Sequence, residues 1–166
     1  IAYYSQQENG KLFDYKLKNT TDKKEKLALI MKNITENIGT LFRQTMFAEF
    51  EKEIHQKAEK GESLTKDDFN KIYLDLYKKY EGPSVKIDDK ASFNWARIGH
   101  FFRYAYYVYQ YSTSFSASTA LSEKVLKGEE GALEKYKDFL KAGSSDYPIE
   151  LLKKAGVDMS KPDSIM

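Results

Sequence analysis

The chain has 166 residues, with 27 lysine and arginine residues against 25 aspartate and glutamate residues, and it contains no cysteine. The net charge of +2 argues against nucleic-acid binding by bulk charge. The lack of cysteine excludes disulfides, thiolate zinc sites and cysteine nucleophiles. The longest uncharged stretch, residues 104–122, carries so many hydroxyl groups that it favours a buried helix over a membrane span.

The first long pattern in the chain predicts a single extended helix. A helix start at Asp22 is followed by apolar residues at steps of three and four from Leu27 to Ile54, with Gly39 as the one internal breaker. We therefore predict one long helix around residues 22–60, roughly 60 Å in length at 1.5 Å per residue. A helix of that length does not fit inside a compact chain of this size. It either bends near Gly39 or belongs to something larger.

The remaining patterns also predict helices, and no segment alternates as a strand would. Asp22 with Glu25 three residues later resembles a capping box, and Thr65 with Asp68 opens the next helix. The fold class that we predict is all-α, with residues 1–166 as a single piece and its last residues, from Val157 onward, loosely held. The other predicted helices cover residues 11–18, 65–82, 91–98, 100–127, 132–142 and 148–156.

An aromatic stripe in the second half of the chain is the most informative chemical pattern. On one continuous helix, His100, Tyr104, Tyr107 and Tyr111 would share a face, since their spacings are four, three and four residues. A histidine and three phenols are neutral hydrogen-bond donors that can stabilise an oxyanion or hold a peptide carbonyl. The alternative is an aromatic core stripe whose hydroxyl groups find local partners. Because the stripe offers neither a nucleophile nor an activated water, it could assist catalysis but not supply it.

Other chemical motifs are absent or weak. The zinc-peptidase signature HExxH is missing, as are the GxSxG, phosphate-loop and dinucleotide-turn motifs. His55 and Glu59 lie one helical turn apart, a spacing that permits metal coordination. A solvated surface histidine explains the same pair, and both readings stay open here.

Three ordered stretches carry a resemblance to a known family. Residues 98–101 read Ile-Gly-His-Phe, and residues 107–117 read Tyr-Val-Tyr-Gln-Tyr-Ser-Thr-Ser-Phe-Ser-Ala. Together with residues 42–51 and 147–159, they resemble the oligoendopeptidase F group of the thimet-type zinc metallopeptidases. The resemblance implies that the chain is the C-terminal part of an all-α catalytic domain, in a cytoplasmic enzyme that hydrolyses short peptides.

The resemblance also implies particular site residues. His100 matches the family's histidine that binds substrate and the tetrahedral intermediate. Tyr107 and Tyr109 match by motif, and Tyr104 and Tyr107 by helical face, so the predicted catalytic set is His100, Tyr104, Tyr107 and Tyr109. The interval from His100 to Tyr109 is one residue longer here than is usual in the family.

The same resemblance sets expectations for cofactor and partners. Zinc belongs to the intact family enzyme, no zinc ligand is assigned to this chain, and the chain alone is predicted to be inactive. The expected partners are an oligopeptide substrate and the zinc-bearing part of the same peptidase, without nucleic acid or membrane. Self-association could occur through the apolar stripe of residues 27–54. The alternative is an inert helical fragment or truncated product that acts only as an interaction module.

Overall fold

The computed structural model describes residues 13–162, and every regular element among them is helical, which confirms the all-α prediction. Residues 13–19 form helix α1; residues 11 and 12 of the predicted helix lie outside the described part. The other elements are α2 (Lys23–Asn37), a π-helical segment (Ile38–Phe42), α3 (Arg43–Glu59), α4 (Lys66–Glu81), a 3₁₀ segment (Asp89–Arg97), α5 (His100–Arg103), α6 (Tyr109–Leu126), α7 (Ala132–Ala142) and α8 (Pro148–Lys154).

The predicted long helix is confirmed, and its irregularity falls at Gly39. Helix α2, the π-helical segment and α3 follow one another without a gap from residue 23 to residue 59. The N–H of Arg43 donates to the carbonyl of Ile38, five residues back, which is the π-helical pattern. At the start of α2, the Asp22 carboxylate accepts the N–H of Lys24 at 2.9 Å, as expected of a helix cap.

The ends of α4 confirm the boundaries predicted from local sequence. The Thr65 hydroxyl accepts the N–H of Asp68 at 3.3 Å, and the Asp68 carboxylate accepts the N–H of Thr65 at 2.8 Å. This reciprocal pair is the capping box. Gly82 ends the helix with φ +78°, a conformation that favours glycine.

The aromatic segment contradicts the prediction of a continuous helix over residues 100–127. Helix α5 ends at Arg103, and α6 does not begin until Tyr109. Between them, Tyr104 leaves the helical region at φ −142° and ψ 78°, and Tyr106 has φ +55°. The prediction that His100 and the tyrosines lie on one face of a continuous helix was therefore wrong, because the backbone turns between α5 and α6. The physical reason is a tertiary hydrogen bond to the backbone of Tyr106, described below.

The chain divides into two compact units, each with a core of its own. In the unit of residues 35–112, α3 packs against α4 around a core of Met46, Phe47, Phe50, Tyr73, Leu76 and Val108. In the unit formed by residues 13–34 and 113–162, the core consists of Ala117, Leu121, Tyr136, Leu152, Ala155 and Val157.

The burial of Val157 corrects one prediction. We expected the chain from Val157 onward to be loosely held, but only 2% of Val157 is exposed, and Met159 packs beside the same core. Residues 163–166 of that predicted tail lie outside the described part. The turn at Gly156, with φ +94°, carries the chain from α8 back onto the core.

None of the helices in residues 13–162 is long and apolar enough to cross a membrane.

Candidate functional site

His100 begins the short helix α5, which is anchored by the residue that follows it. The Phe101 ring lies 5.6 Å from the Phe47 ring and 5.1 Å from the Phe50 ring, both contributed by α3. Offset and edge contacts between aromatic rings stabilise such packing beyond the burial of apolar area. The core of residues 35–112 therefore fixes the backbone from which the imidazole projects.

The turn after α5, residues 104–108, also contacts α3 and its core. Val108 is completely buried in the core that contains Phe47 and Phe50. The backbone N–H of Tyr106 donates to Oε1 of Glu51, on α3, at 2.7 Å. Both contacts draw the turn back onto α3 before α6 begins.

This backbone path brings four aromatic side chains into one cluster, which we call the His100 cluster: His100, Tyr104, Tyr107 and Tyr111. The imidazole of His100 and the ring of Tyr107 are nearly parallel, with centroids 5.6 Å apart. The Tyr111 ring stands edge-on to His100 at 5.8 Å and to Tyr107 at 5.6 Å. The Tyr104 ring lies 6.0 Å from the Tyr107 ring. The spacing argument thus selected residues that do meet, although a turn and not a helix face brings them together.

One hydrogen bond within the cluster joins the imidazole to a phenol. The hydroxyl of Tyr111 lies 3.3 Å from Nε2 of His100, and either group can donate, depending on the imidazole tautomer. Burial, followed by the neighbouring Tyr107 ring and a hydrogen bond with it, raises the pKa of Tyr111 above its usual range. The phenol therefore stays protonated at physiological pH and remains a neutral donor.

The cluster is open to solvent on one side. Tyr104 is 60% exposed, Tyr107 39% and Tyr111 37%. Their hydroxyl groups can therefore meet a peptide without rearrangement of the core. Tyr109, the fourth predicted tyrosine, begins α6 with 49% of its surface exposed, and its hydroxyl role stays a prediction.

Glu51 is a site residue that our reading of the sequence missed. It is 2% exposed and lies in the apolar core next to Phe50, yet its carboxylate holds the turn of the site. The available signal was its position: Glu51 follows Phe47 by four residues, within the apolar stripe that includes Phe50 and Ile54. An acidic residue inside a buried stripe needs a hydrogen-bond partner.

The hypothesis that His55 and Glu59 coordinate a metal ion is not supported by the contacts of these residues. The His55 ring packs against the Tyr106 ring, with centroids 4.7 Å apart. Within residues 13–162, no group of three or more histidine, aspartate or glutamate side chains is placed to hold a metal ion. The residues of this described part therefore do not by themselves fit a zinc site.

Comparisons with known proteins agree on one family. The family model described as "Peptidase family M3" matches residues 5–166. Oligopeptidase PepF of Bacillus subtilis (strain 168) is 51% identical over 154 residues, which is 93% of this chain and 23% of that protein. The plasmid-encoded oligoendopeptidase F of Lactococcus lactis subsp. cremoris is 46% identical over 147 residues, covering 89% of this chain and 24% of that protein.

A solved structure matches equally well. The crystal structure of oligoendopeptidase-F from Enterococcus faecium superimposes with a TM-score of 0.92 at 45% identity, covering 98% of this chain and 31% of that one. The chain thus spans about a quarter of the length of the curated relatives that it matches.

Proposed function

Since this chain belongs to peptidase family M3, we propose that it is the C-terminal segment of a zinc-dependent oligoendopeptidase that hydrolyses short peptides. The names of its relatives, oligopeptidase PepF and oligoendopeptidase F, support the peptidase chemistry. The His100 cluster is the observation that carries the role of this segment. It places an imidazole and three phenols on one open surface, next to the buried core of residues 35–112.

The proposed role is to bind the peptide and to stabilise the transition state. The exposed hydroxyl groups of Tyr104 and Tyr107 can donate to peptide carbonyl oxygens. When a carbonyl becomes tetrahedral during hydrolysis, negative charge collects on its oxygen, and donors already in position stabilise it without reorganising. His100 and Tyr111, which share a hydrogen bond, remain fixed relative to each other while this charge develops.

In this proposal, the zinc ion is bound by the part of the enzyme that lies outside this chain. When bound in such an enzyme, zinc polarises the scissile carbonyl and lowers the pKa of its bound water. The described residues do not fit a zinc site, so we assign no ligand and no base to this chain. Its own residues bind and orient the peptide, and we therefore propose that the chain alone is inactive. We also place the intact enzyme in the cytoplasm, which cell fractionation would test.

A second candidate role, as an interaction module, is favoured by the exposed apolar residues of α2. Leu27 is 61% exposed and Ile34 44% exposed, although both lie on the apolar stripe of residues 27–54. Exposed apolar patches of several hundred square ångströms usually mark interfaces. We propose that the zinc-bearing part of the peptidase covers this surface and that, in its absence, a second copy of the chain does.

The experiment that tests the peptidase proposal is hydrolysis of an internally quenched oligopeptide. We expect no cleavage by the 166-residue chain alone, with or without added zinc. We expect cleavage, abolished by a chelator, by the longer protein in which the chain is joined to the zinc-bearing part. Chelator-sensitive cleavage by the chain alone would contradict the proposal that the chain binds the peptide while another part of the enzyme holds the zinc. No cleavage by the longer protein would contradict the peptidase proposal itself.

A further inference from the structure

The carboxylate of Glu51 is buried in an apolar core. Only 2% of the residue is exposed, and it lies on α3, the helix that contributes Met46, Phe47 and Phe50 to the core. Burying a carboxylate is costly unless hydrogen bonds replace the water that it loses. The bond that Glu51 accepts comes from the backbone N–H of Tyr106, 55 residues further along the chain, at 2.7 Å. A buried acid thus joins the middle of α3 to the turn between α5 and α6.

The recipient of this bond has an unusual backbone. Tyr106 is the one non-glycine residue with positive φ in the described part of the chain, at φ +55°. L-residues avoid this region, and a tyrosine stays there only when its surroundings determine the conformation. Two contacts from α3 act on Tyr106: the Glu51 carboxylate on its N–H, and the His55 ring, 4.7 Å from its own ring.

The conformation of Tyr106 determines where the cluster's tyrosines lie. Tyr104 and Tyr107 flank it, while Phe101 before the turn and Val108 after it are packed in the core. The chain reverses between these two anchors and returns the Tyr107 ring to a nearly parallel position, 5.6 Å from His100. If Tyr106 relaxed to negative φ, the path between the anchors would change, and this stacking would be lost.

We infer that Glu51 is a positioning residue, which fixes the turn of residues 104–108 through the Tyr106 N–H and so sets Tyr107 against His100. His55 supports it by packing on the Tyr106 ring. The geometric part of this inference stands on the contacts of residues 35–112 alone. Its catalytic consequence rests on the proposed function of the His100 cluster.

Nuclear magnetic resonance of the histidine-labelled chain tests the geometric part, because the chain has only two histidines. Glu51→Leu removes the hydrogen-bond acceptor, and Glu51→Gln keeps a carbonyl oxygen in the same place. We expect Glu51→Leu to abolish the cross-relaxation between the His100 and Tyr107 rings and to shift the His100 ring protons. Glu51→Gln should retain both signals. Unchanged His100 signals in a folded Glu51→Leu chain would overturn the inference.

A matched control separates positioning from loss of stability. Glu49 lies on the same helix, and its carboxylate accepts bonds from Lys79 and Tyr80 at 2.7 and 2.9 Å. Glu49→Leu therefore also removes a carboxylate that joins α3 to another element, but it leaves Tyr106 untouched. We expect it to leave the His100 ring signals in place. Movement of these signals in Glu49→Leu equal to that in Glu51→Leu would overturn the specific role of Glu51.

A measurement on the unaltered chain keeps the inference testable even if Glu51→Leu does not fold. The bonded amide of Tyr106 should exchange its hydrogen at least 10-fold more slowly than the amide of its exposed neighbour Ala105. Equal exchange rates at the two positions would show that the turn opens freely, and the inference would fail.

Kinetics of the intact peptidase distinguish failure of this inference from failure of the proposed function. We expect Glu51→Leu to lower kcat at least 10-fold with KM within about twofold, and Glu51→Gln to restore it. If the His100 signals move but kcat does not, Glu51 positions the cluster and the proposed catalytic role of the cluster is wrong. If kcat falls while the His100 signals stay in place, the positioning inference is wrong.

Discussion

The hydroxyl groups around His100 belong to tyrosines that are only partly covered, and the proposed role depends on this property. Tyr104, Tyr107 and Tyr111 combine rings that pack on one another with hydroxyl groups at an open surface. The packing removes conformational freedom before any substrate arrives, so the donors need not be ordered during the reaction. The positive φ of Tyr106 and the non-helical torsions of Tyr104 together form the turn that arranges them.

At Tyr106 we predict that the glycine variant is more stable than the alanine variant, although glycine is usually the more destabilising of the two residues. Both Tyr106→Ala and Tyr106→Gly remove the ring that packs on His55. Only alanine keeps the Cβ that opposes φ +55°, a penalty of about 1–2 kcal/mol. The glycine variant should therefore be the more stable of the two by about 1 kcal/mol. Chemical denaturation monitored by circular dichroism measures the difference. Greater stability of the alanine variant would show that Tyr106 does not hold positive φ.

Part of the site could be identified from the spacing of residues in the sequence and from the family resemblance. His100, Tyr104 and Tyr107 were singled out by spacing and by resemblance, and all three lie in the cluster. Glu51 could not be identified in this way, because its importance comes from a contact with Tyr106, 55 residues away. Periodicity places an acidic residue on a helix face, but it does not say which backbone group that face will meet.

At the level of elements, α4 packs against α3, the helix that anchors the site. The Phe50 ring meets the Tyr73 ring at 5.4 Å, and the Tyr80 hydroxyl donates to Glu49 at 2.9 Å. Burial raises the pKa of Tyr73 to about 12. Burial, together with the hydrogen bond to Glu49, raises the pKa of Tyr80 to about 12 as well. The neutral phenols are therefore favoured in the folded state.

These two pKa shifts predict a loss of stability at alkaline pH. Below about pH 9 both phenols are protonated in the folded and unfolded chains, and the full stability is present. As the pH rises from about 10 to about 12, the unfolded chain loses these protons first, so the free energy of unfolding falls. For Tyr73 the fall is about 2 kcal/mol by pH 11.5.

Chemical denaturation at pH 8 and pH 11.5 measures this loss. The double variant Tyr73→Phe, Tyr80→Phe should lose clearly less stability between the two pH values than the unaltered chain. Tyr147→Phe, which removes a hydroxyl from an 80% exposed residue, should behave as the unaltered chain does. If the double variant lost as much stability as the unaltered chain, groups other than Tyr73 and Tyr80 would be responsible for the alkaline loss.

The helices were more predictable than the turn between α5 and α6 because their signals are local. A capping box at Thr65 and a glycine at Gly82 fix α4 within a few residues of sequence. Gly39 likewise marked where the long helix becomes π-helical. Residues 104–108, in contrast, have an aromatic composition compatible with a helix. Their turn is imposed by α3, and no local pattern encodes that contact.

For the whole molecule, the long helix presents two kinds of surface. In its second half, Met46 and Phe50 are buried in the core of residues 35–112. In its first half, the apolar residues are exposed; these are Leu27 at 61%, Ile30 at 41%, Met31 at 52% and Ile34 at 44%. The same periodicity runs through both halves, so the sequence does not distinguish a covered stripe from an uncovered one.

We predict that the isolated chain associates through this exposed half. Light scattering coupled to size-exclusion chromatography should give a mass above that of the monomer at micromolar concentrations. The double variant Leu27→Lys, Ile34→Lys should return the mass to that of the monomer, since charges on an apolar contact are costly to desolvate. Tyr147→Lys, at an exposed position outside α2, should not change the association. A monomeric unaltered chain would contradict this prediction.

The most direct test of the proposed site is the hydrolysis of an oligopeptide, in the presence of zinc, by the longer protein of which this chain is the proposed C-terminal segment, carrying His100→Ala. We expect kcat to fall by about 100- to 1000-fold, the loss typical of a donor that acts in the transition state, with KM changed only a few-fold. The exposed Tyr147→Ala serves as the control and should keep kcat near that of the unaltered enzyme. An unchanged kcat in a folded His100→Ala enzyme would show that the His100 cluster does not take part in the reaction.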